Sequence, residues 1–157
     1  MIIKEWIRIP SLSGDKKRRI YFYLPQDYDQ GQSRYPVLYM FDGHNVFFDA
    51  DATYGKSWGM KEYMDREDPG LIIVAVECNH EGNSRLEEYT PWPFYARGMG
   101  HMEAKGERYM EWLVNVLKPG VDRRFRTLPK REHTYICGSS MGGLMSVYAL
   151  CRYNHIF

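Results

Sequence analysis

The first two apolar segments of the chain alternate between hydrophobic and polar side chains. They cover residues 2–10 and 17–24, and turn-forming residues 11–15 lie between them. Alternation is typical of strands with one buried and one solvated face, so the pattern predicts an antiparallel pair. The basic cluster at residues 16–19 is interpreted as the polar turn of this hairpin and not as a phosphate-binding patch.

Three later segments are continuously apolar. They cover residues 37–41 and 71–76, each preceded by a proline or glycine turn signal, and the shorter run 134–137. Continuous apolar runs of this length are typical of strands buried on both faces, as in parallel sheets covered by helices. They therefore predict a mostly parallel sheet that follows the antiparallel pair.

Helical periodicity separates these runs. It predicts helices over residues 58–66 and 107–118, the second of which we expect to end at Pro119-Gly120. A last helix is predicted from Met141 onward. Its expected apolar face consists of Leu144, Val147, Tyr148 and Cys151. The order of elements predicts an α/β fold, with a mostly parallel sheet flanked by helices and an antiparallel pair of strands at the N-terminus.

Residues 79–106 show no clear element. A connection of this length in a compact domain is usually functional or disordered. Because it contains Trp92, Phe94 and Tyr95, we expect an ordered cap over the sheet. These three side chains either line a substrate pocket or pack against the sheet.

Composition narrows the class of protein. The 157 residues are 44% hydrophobic and carry 21 basic and 20 acidic side chains, a net charge of +1. We therefore expect one soluble domain over residues 1–157 and neither a nucleic-acid partner nor a membrane span. The start of the chain is too short and too charged for a signal peptide. The three cysteines of the chain are widely spaced, so we expect no disulfide framework. The predicted location is therefore the cytoplasm.

The sharpest chemical signal lies between the last predicted strand and the last predicted helix. Gly138-Ser139-Ser140-Met141-Gly142-Gly143 fits the pattern G-x-S-x-G, with Ser140 as the nucleophile of a strained strand–turn–helix elbow. Glycine is expected on both sides of the serine because side chains there would collide with the neighbouring strand and helix. The alternative is a glycine-rich loop that only starts a helix or holds a phosphate, but the flanking strand and helix favour the elbow.

A second chemical signal follows the first buried strand, at Asp42-Gly43-His44. The carboxyl end of this strand is expected at the same crevice as Ser140. The loop after it commonly supplies one backbone amide of an oxyanion hole, and the residue after the nucleophile supplies the other. We therefore predict the backbone N–H groups of His44 and Met141 as oxyanion donors. A plain turn remains the alternative for Asp42-Gly43.

Several segments together resemble the Putative esterase family, the esterase D-like branch of the α/β-hydrolases. They are residues 36–43, 58–59, 73–76, 88–91 and the elbow at 138–143. Members of this family include tributyrin esterases, S-formylglutathione hydrolases, feruloyl esterases and enterochelin esterases. The resemblance covers almost the whole chain. It implies an α/β-hydrolase fold and cofactor-free ester hydrolysis through an acyl-serine intermediate.

The acid and the histidine of a catalytic triad are not found after Ser140. No Asp or Glu follows it, and His155 is expected on the order of 20 Å along the helix, at about 1.5 Å per residue. The earlier histidines are His44, His80, His101 and His133. His44 and His80 could face the crevice, but we interpret them as loop residues. Their spacing does not predict a zinc site.

The resemblance implies that the missing triad residues belong to further strands and helices. We therefore expect this chain to be the N-terminal portion of such a domain, ending after the nucleophile helix. The strand at 134–137 would then expose an apolar edge that pairs with a complementing chain or a second copy.

The resulting prediction is a serine carboxylic ester hydrolase that acts on a small or aryl or sugar ester, with neither a metal nor a cofactor. Two alternatives remain open. One is a non-catalytic binding protein that kept this fold without the triad acid and histidine. The other is an acyltransferase with the same nucleophile.

Overall fold

Seven strands make up the β-structure of the chain, which the computed structural model describes over residues 1–157. They are β1 (Ile2–Arg8), β2 (Lys17–Tyr23), β3 (Val37–Met40), β4 (Ile72–Val76), β5 (Phe94–Ala96), β6 (Gly100–Met102) and β7 (Thr134–Cys137). Five of them form one sheet in the order β1-β2-β4-β3-β7, and β5 and β6 form a separate antiparallel ribbon.

The main sheet combines both kinds of pairing. β1 pairs antiparallel with β2, and β2 pairs antiparallel with β4. β4, β3 and β7 are parallel, with Val37 opposite both Ile72 and Thr134. This confirms the predicted antiparallel pair and parallel sheet. Because the parallel strands are neighbours, their carboxyl ends meet at one edge of the sheet.

Six α-helices accompany the strands. They are α1 (Pro10–Ser13), α2 (Met60–Glu67), α3 (Ser84–Glu88), α4 (Gly106–Trp112), α5 (Lys118–Arg124) and α6 (Met141–Arg152). A π-helical turn, Leu113–Leu117, joins α4 to α5. No helix is both long and apolar enough to cross a bilayer.

Both faces of the sheet are covered, and β4 shows this most clearly. Its side chains alternate between two apolar clusters: Ile72, Val74 and Val76 lie in the larger one and Ile73 and Ala75 in the smaller. Residues of α4 and α6 belong to the larger cluster, and Met64 of α2 belongs to the smaller. Burial on both faces explains why these strands are continuously apolar in sequence.

The predicted helix end at Pro119-Gly120 is wrong. The helical path continues through the π turn and α5 to Arg124. Pro119 occupies the first turn of α5, where a residue without an N–H group is tolerated. The shift of hydrogen-bond pattern at the π turn therefore accommodates a proline that would otherwise break the helix.

The buried face of α6 also differs from the predicted one. Gly142, Met145 and Ala149 are the buried residues of this helix. Leu144, Val147 and Cys151 are exposed, and Tyr148 is half-buried. The inward face includes Gly142, which packs closely against Phe41, the residue after β3.

The segment after β4 contains elements that the sequence did not predict. Residues 79–106 are not without elements, since they contain α3, β5 and β6.

The basic cluster at residues 16–19 is not the polar turn that was predicted, because Arg18 and Arg19 lie within β2. Arg18 is buried and forms a double hydrogen bond with the buried carboxylate of Glu88 on α3. The basic residue is compensated by a partner 70 positions away.

β7 is the last strand of the sheet on one side. Tyr135 and Cys137 on it are exposed. The strand pairs only with β3, so its other edge carries unpaired backbone groups of the kind that can accept another strand.

Candidate active site

The loops after the three parallel strands meet around one cavity of about 420 Å³. The loop after β3 contributes Asp42 and His44, the loop after β4 contributes Cys78 and His80, and the loop after β7 contributes Ser140. These residues are far apart in sequence. They come together because β4, β3 and β7 are adjacent and end at the same edge of the sheet.

Ser140 has a backbone conformation that is rare for a residue with a side chain. Its φ is 56° and its ψ is −118°, outside the regions that L-residues normally occupy. It stands between the end of β7 and the first residue of α6. Strain of this kind costs on the order of 1–3 kcal/mol, and such residues cluster at functional sites.

Two glycines make the turn around Ser140 possible. A Cβ atom on Gly138 would lie 2.6 Å from the backbone carbonyl carbon of Gly142. A Cβ atom on Gly142 would lie 3.0 Å from Cβ of Phe41, at the end of β3. Gly143 is less constrained, because its Cβ would reach the Gly138 carbonyl oxygen only at 3.4 Å. Gly138 is therefore required by the close approach of backbone, and Gly142 leaves little room for a side chain beside Phe41.

Two backbone amides near Ser140 have no acceptor within the chain. They are the N–H groups of Met141, the first residue of α6, and of His44 in the 3₁₀ turn Gly43–Asn45. The helix N-terminus adds a positive partial charge beside Ser140. Free amides in these two loops are the kind of donor that a developing oxyanion needs.

Asp42 holds the loop after β3 in place. Its φ of 56° is left-handed, and its backbone N–H donates to the hydroxyl of Tyr89 at 3.1 Å. Arg85 donates from Nε and a terminal nitrogen to the two carboxylate oxygens of Asp42, at 2.7 and 2.8 Å. Hydrogen bonding to Asp42, against the effect of burial, raises the pKa of Arg85. The loop that carries His44 is thus tied to the segment after β4.

His44 and His80 lie side by side in the cavity, with ring centroids 4.5 Å apart. His44 is buried, and its Nε2 atom lies 3.0 Å from Oγ1 of Thr53. Burial, followed by the proximity of His80, lowers the pKa of His44 to about 4. Its imidazole is therefore neutral at pH 7.

No histidine hydrogen-bonds to the Ser140 hydroxyl. His101 is on β6, His133 precedes β7 and His155 follows α6, and none of these three lines the cavity. Asp42, the carboxylate in the cavity, is paired with Arg85. The chain therefore brings the serine and the candidate amides together, but it does not place a general base beside them.

Trp92, Phe94 and Tyr95 lie outside this cavity. Trp92 is 62% exposed and packs edge-on against Tyr148 of α6, with ring centroids 5.9 Å apart. The aromatic residues that do line the cavity are Tyr54 and Trp58. They belong to the loop between β3 and α2, which the sequence pattern did not connect with the site.

Both a known protein family and a known bacterial protein are similar to this chain in sequence. The family model described as "Putative esterase" matches residues 11–157. The protein YbbA of Bacillus subtilis (strain 168), which is uncharacterized, is 26% identical over 151 residues. The match covers 94% of this chain and 57% of YbbA.

Solved structures give the same fold. An IroE-like serine hydrolase from Shewanella oneidensis superposes with a TM-score of 0.78 at 20% identity, over 100% of this chain and 48% of that one. The siderophore hydrolase EstA from Aspergillus nidulans superposes with a TM-score of 0.72 at 16% identity, over 99% of this chain and 54% of EstA. The predicted α/β-hydrolase fold is confirmed. The chain spans about half the length of these relatives.

Proposed function

This chain belongs to the Putative esterase family, and we propose that it carries the nucleophile of a serine carboxylic ester hydrolase, with Ser140 as that nucleophile. The observation that carries the proposal is the conformation of Ser140, with φ at 56°, between a parallel strand and the helix that follows it. A strained serine in this setting, exposed at a cavity, is the arrangement that a nucleophile elbow requires.

The proposed reaction has two stages. Ser140 Oγ attacks the ester carbonyl carbon and its proton passes to a general base; the carbon–oxygen bond to the alcohol then breaks, and the alcohol takes that proton. Water next attacks the acyl-serine, releases the carboxylic acid and restores the hydroxyl. Since no histidine of this chain contacts Ser140, we place the base and its orienting acid in polypeptide outside residues 1–157.

The tetrahedral oxygen formed in each stage is assigned to the backbone amides of Met141 and His44. Both lack an acceptor within the chain, so neither must break a hydrogen bond to receive the oxyanion. One such donor is worth about 3 kcal/mol of transition-state stabilisation in a comparable hydrolase.

A small ester, or one with an aryl or sugar group, suits the cavity. Its volume of about 420 Å³ is within the range of small-molecule sites. The exposed ring of Tyr54 and the half-covered ring of Trp58 line it beside Lys56. Aromatic faces of this kind stack on aryl and sugar rings.

Trapping of the acyl intermediate tests the proposal. The natural polypeptide that contains residues 1–157 would be mixed with p-nitrophenyl butyrate, quenched in acid within the first turnover, and digested for peptide mass mapping. We expect a butyryl group on Ser140, together with a burst of p-nitrophenol. Ser140→Ala should abolish both, and Ser139→Ala, the matched control one residue away, should retain both. A butyryl group elsewhere, or unchanged hydrolysis by Ser140→Ala, would refute the proposal.

A further inference from the structure

Three side chains able to bind a metal ion converge in the cavity. They are His44, Cys78 and His80, and one ligand atom from each lies within 4.8 Å of the others. His44 and Cys78 are buried and His80 is exposed. The three come from the loops after β3 and β4, two neighbouring parallel strands, so their sequence spacing does not follow any common metal-binding motif.

Hydrogen bonds orient both imidazoles in the same way. Nε2 of His44 lies 3.0 Å from Oγ1 of Thr53, and Nε2 of His80 lies 3.0 Å from a carboxylate oxygen of Glu77. In metal sites, histidine ligands typically engage one ring nitrogen with such a partner, often a carboxylate, and coordinate through the other. Thr53 and Glu77 would thus hold both rings through Nε2, so that Nδ1 is the nitrogen of each ring left for another ligand.

The free nitrogens are placed accordingly. Nδ1 of His44 is buried and has no hydrogen-bond partner within the chain. Nδ1 of His80 lies 3.9 Å from the sulfur of Cys78. A buried polar atom without a partner is unfavourable and is rare in folded proteins. The alternative is that the two rings only pack edge to face beside a small core cysteine. That alternative leaves the His44 Nδ1 atom without a partner in the chain.

We propose that His44, Cys78 and His80 form a binding site for Zn²⁺, with Nδ1 of each histidine and the sulfur of Cys78 as ligands and a fourth position open to the cavity. Two imidazoles and one thiolate are a donor set that suits this borderline-soft cation. On binding, the S–H bond of Cys78 breaks, its proton passes to solvent, and the sulfur forms a bond to the metal.

The geometry requires only a small adjustment. Ligand atoms around a tetrahedral zinc ion are about 3.5 Å apart, given Zn–N and Zn–S distances of about 2.1 and 2.3 Å. Closing the cluster from 4.8 Å therefore takes a shift on the order of 1 Å. His80 can supply it, because 52% of its side chain is exposed. Zinc at this position would fill part of the cavity that Ser140 lines.

Metal binding is the direct test, and it does not depend on the esterase proposal. The natural polypeptide would be titrated with Zn²⁺ against a chromogenic chelator, and separately with Co²⁺ while visible absorption is recorded. We expect one ion per chain and a thiolate-to-cobalt charge-transfer band. His80→Ala and Cys78→Ser should each weaken zinc binding by about tenfold or more, and Cys78→Ser should remove the band.

Matched controls come from the same chain. His101→Ala and Cys137→Ala change exposed residues outside the cluster and should leave zinc binding unchanged. The proposal fails if no ion binds at ~100 μM Zn²⁺, or if the cluster variants bind as tightly as the controls. If Cys78→Ser does not fold, His80→Ala decides the outcome, because about half of the His80 side chain is exposed.

Discussion

Arg85 donates two hydrogen bonds, of 2.7 and 2.8 Å, to the carboxylate of Asp42. The Asp42 carboxylate is almost completely buried, with 1% of its side chain exposed, and Arg85 is 31% exposed. The pair joins α3 to the loop that carries the candidate oxyanion amide of His44. We therefore expect the pair to contribute both to the stability of the fold and to the order of the candidate site.

Removing Arg85 should therefore lower the stability of the fold. Arg85→Ala leaves a buried carboxylate without its partner, and we expect the free energy of unfolding to fall by about 3 kcal/mol, the lower end for a broken buried pair because Arg85 is partly exposed. Urea unfolding monitored by fluorescence would measure it. Arg66→Ala, which breaks an exposed pair with Glu67, should change stability by less than about 0.5 kcal/mol. Equal effects of the two variants would contradict this role for Arg85.

The buried pair of Arg18 and Glu88 gives a second prediction. Glu88→Ala should destabilise the protein by about 3–5 kcal/mol, because it strands the arginine in the interior. The double variant Arg18→Met with Glu88→Leu should recover most of that loss, since it removes both charges and keeps similar volume. Thermal and urea unfolding of both variants test this. A double variant no more stable than Glu88→Ala would show that the pair has a role beyond its mutual charge.

Much of the sheet could be predicted because strands that are buried on both faces have continuously apolar sequences. β4 is continuously apolar for that reason, and Gly138 to Gly143 carry the steric signature of a tight turn. The extent of the long helix could not be predicted, because a π turn accommodates Pro119. The ion pair of Arg18 could not be predicted either, because its partner, Glu88, lies in another element.

The candidate site was less predictable than the fold. Ser140 and the amide of His44 follow strand ends, a position that sequence can identify. The cluster of His44, Cys78 and His80 depends on β3 and β4 being neighbours, which no local pattern states. A usable signal exists in hindsight: polar or ligating residues that directly follow two predicted parallel strands should be considered together.

The elbow glycine Gly138 should not tolerate any side chain. Gly138→Ala would place Cβ 2.6 Å from backbone atoms of Gly142, and we expect the free energy of unfolding to fall by about 3 kcal/mol and the proposed esterase activity to be lost. Gly120→Ala is the control. It lies within α5, where the nearest atom to an added Cβ is a side-chain nitrogen at 4.0 Å. This control should be stabilised by about 0.5–1 kcal/mol. Retained stability in Gly138→Ala would show that the turn is looser than described.

The carboxylate of Asp51 should make stability depend on pH. Burial alone would raise its pKa, but hydrogen bonds from Lys4 and Tyr21 and the charge of Arg19 outweigh burial and lower it. A lowered folded-state pKa stabilises the fold above the unfolded value of about 3.9, and the benefit is lost as pH falls through the folded pKa.

Asp51→Asn should therefore be less stable than the unchanged protein at pH 7. The gap in the free energy of unfolding should narrow as the pH falls below about 4, where the aspartate becomes protonated. Urea unfolding at a series of pH values measures it. A gap that stays constant down to about pH 2, or that widens in acid, would show that Asp51 does not contribute through its charge.

The central claim is that Ser140 is an activated nucleophile, and a fluorophosphonate probe tests it most directly. The natural polypeptide would be incubated with the probe, and its intact mass and the modified peptide determined by mass spectrometry. We expect one adduct, on Ser140, that Ser140→Ala abolishes and Ser139→Ala retains. An unmodified protein, or an adduct that persists in Ser140→Ala, would contradict it.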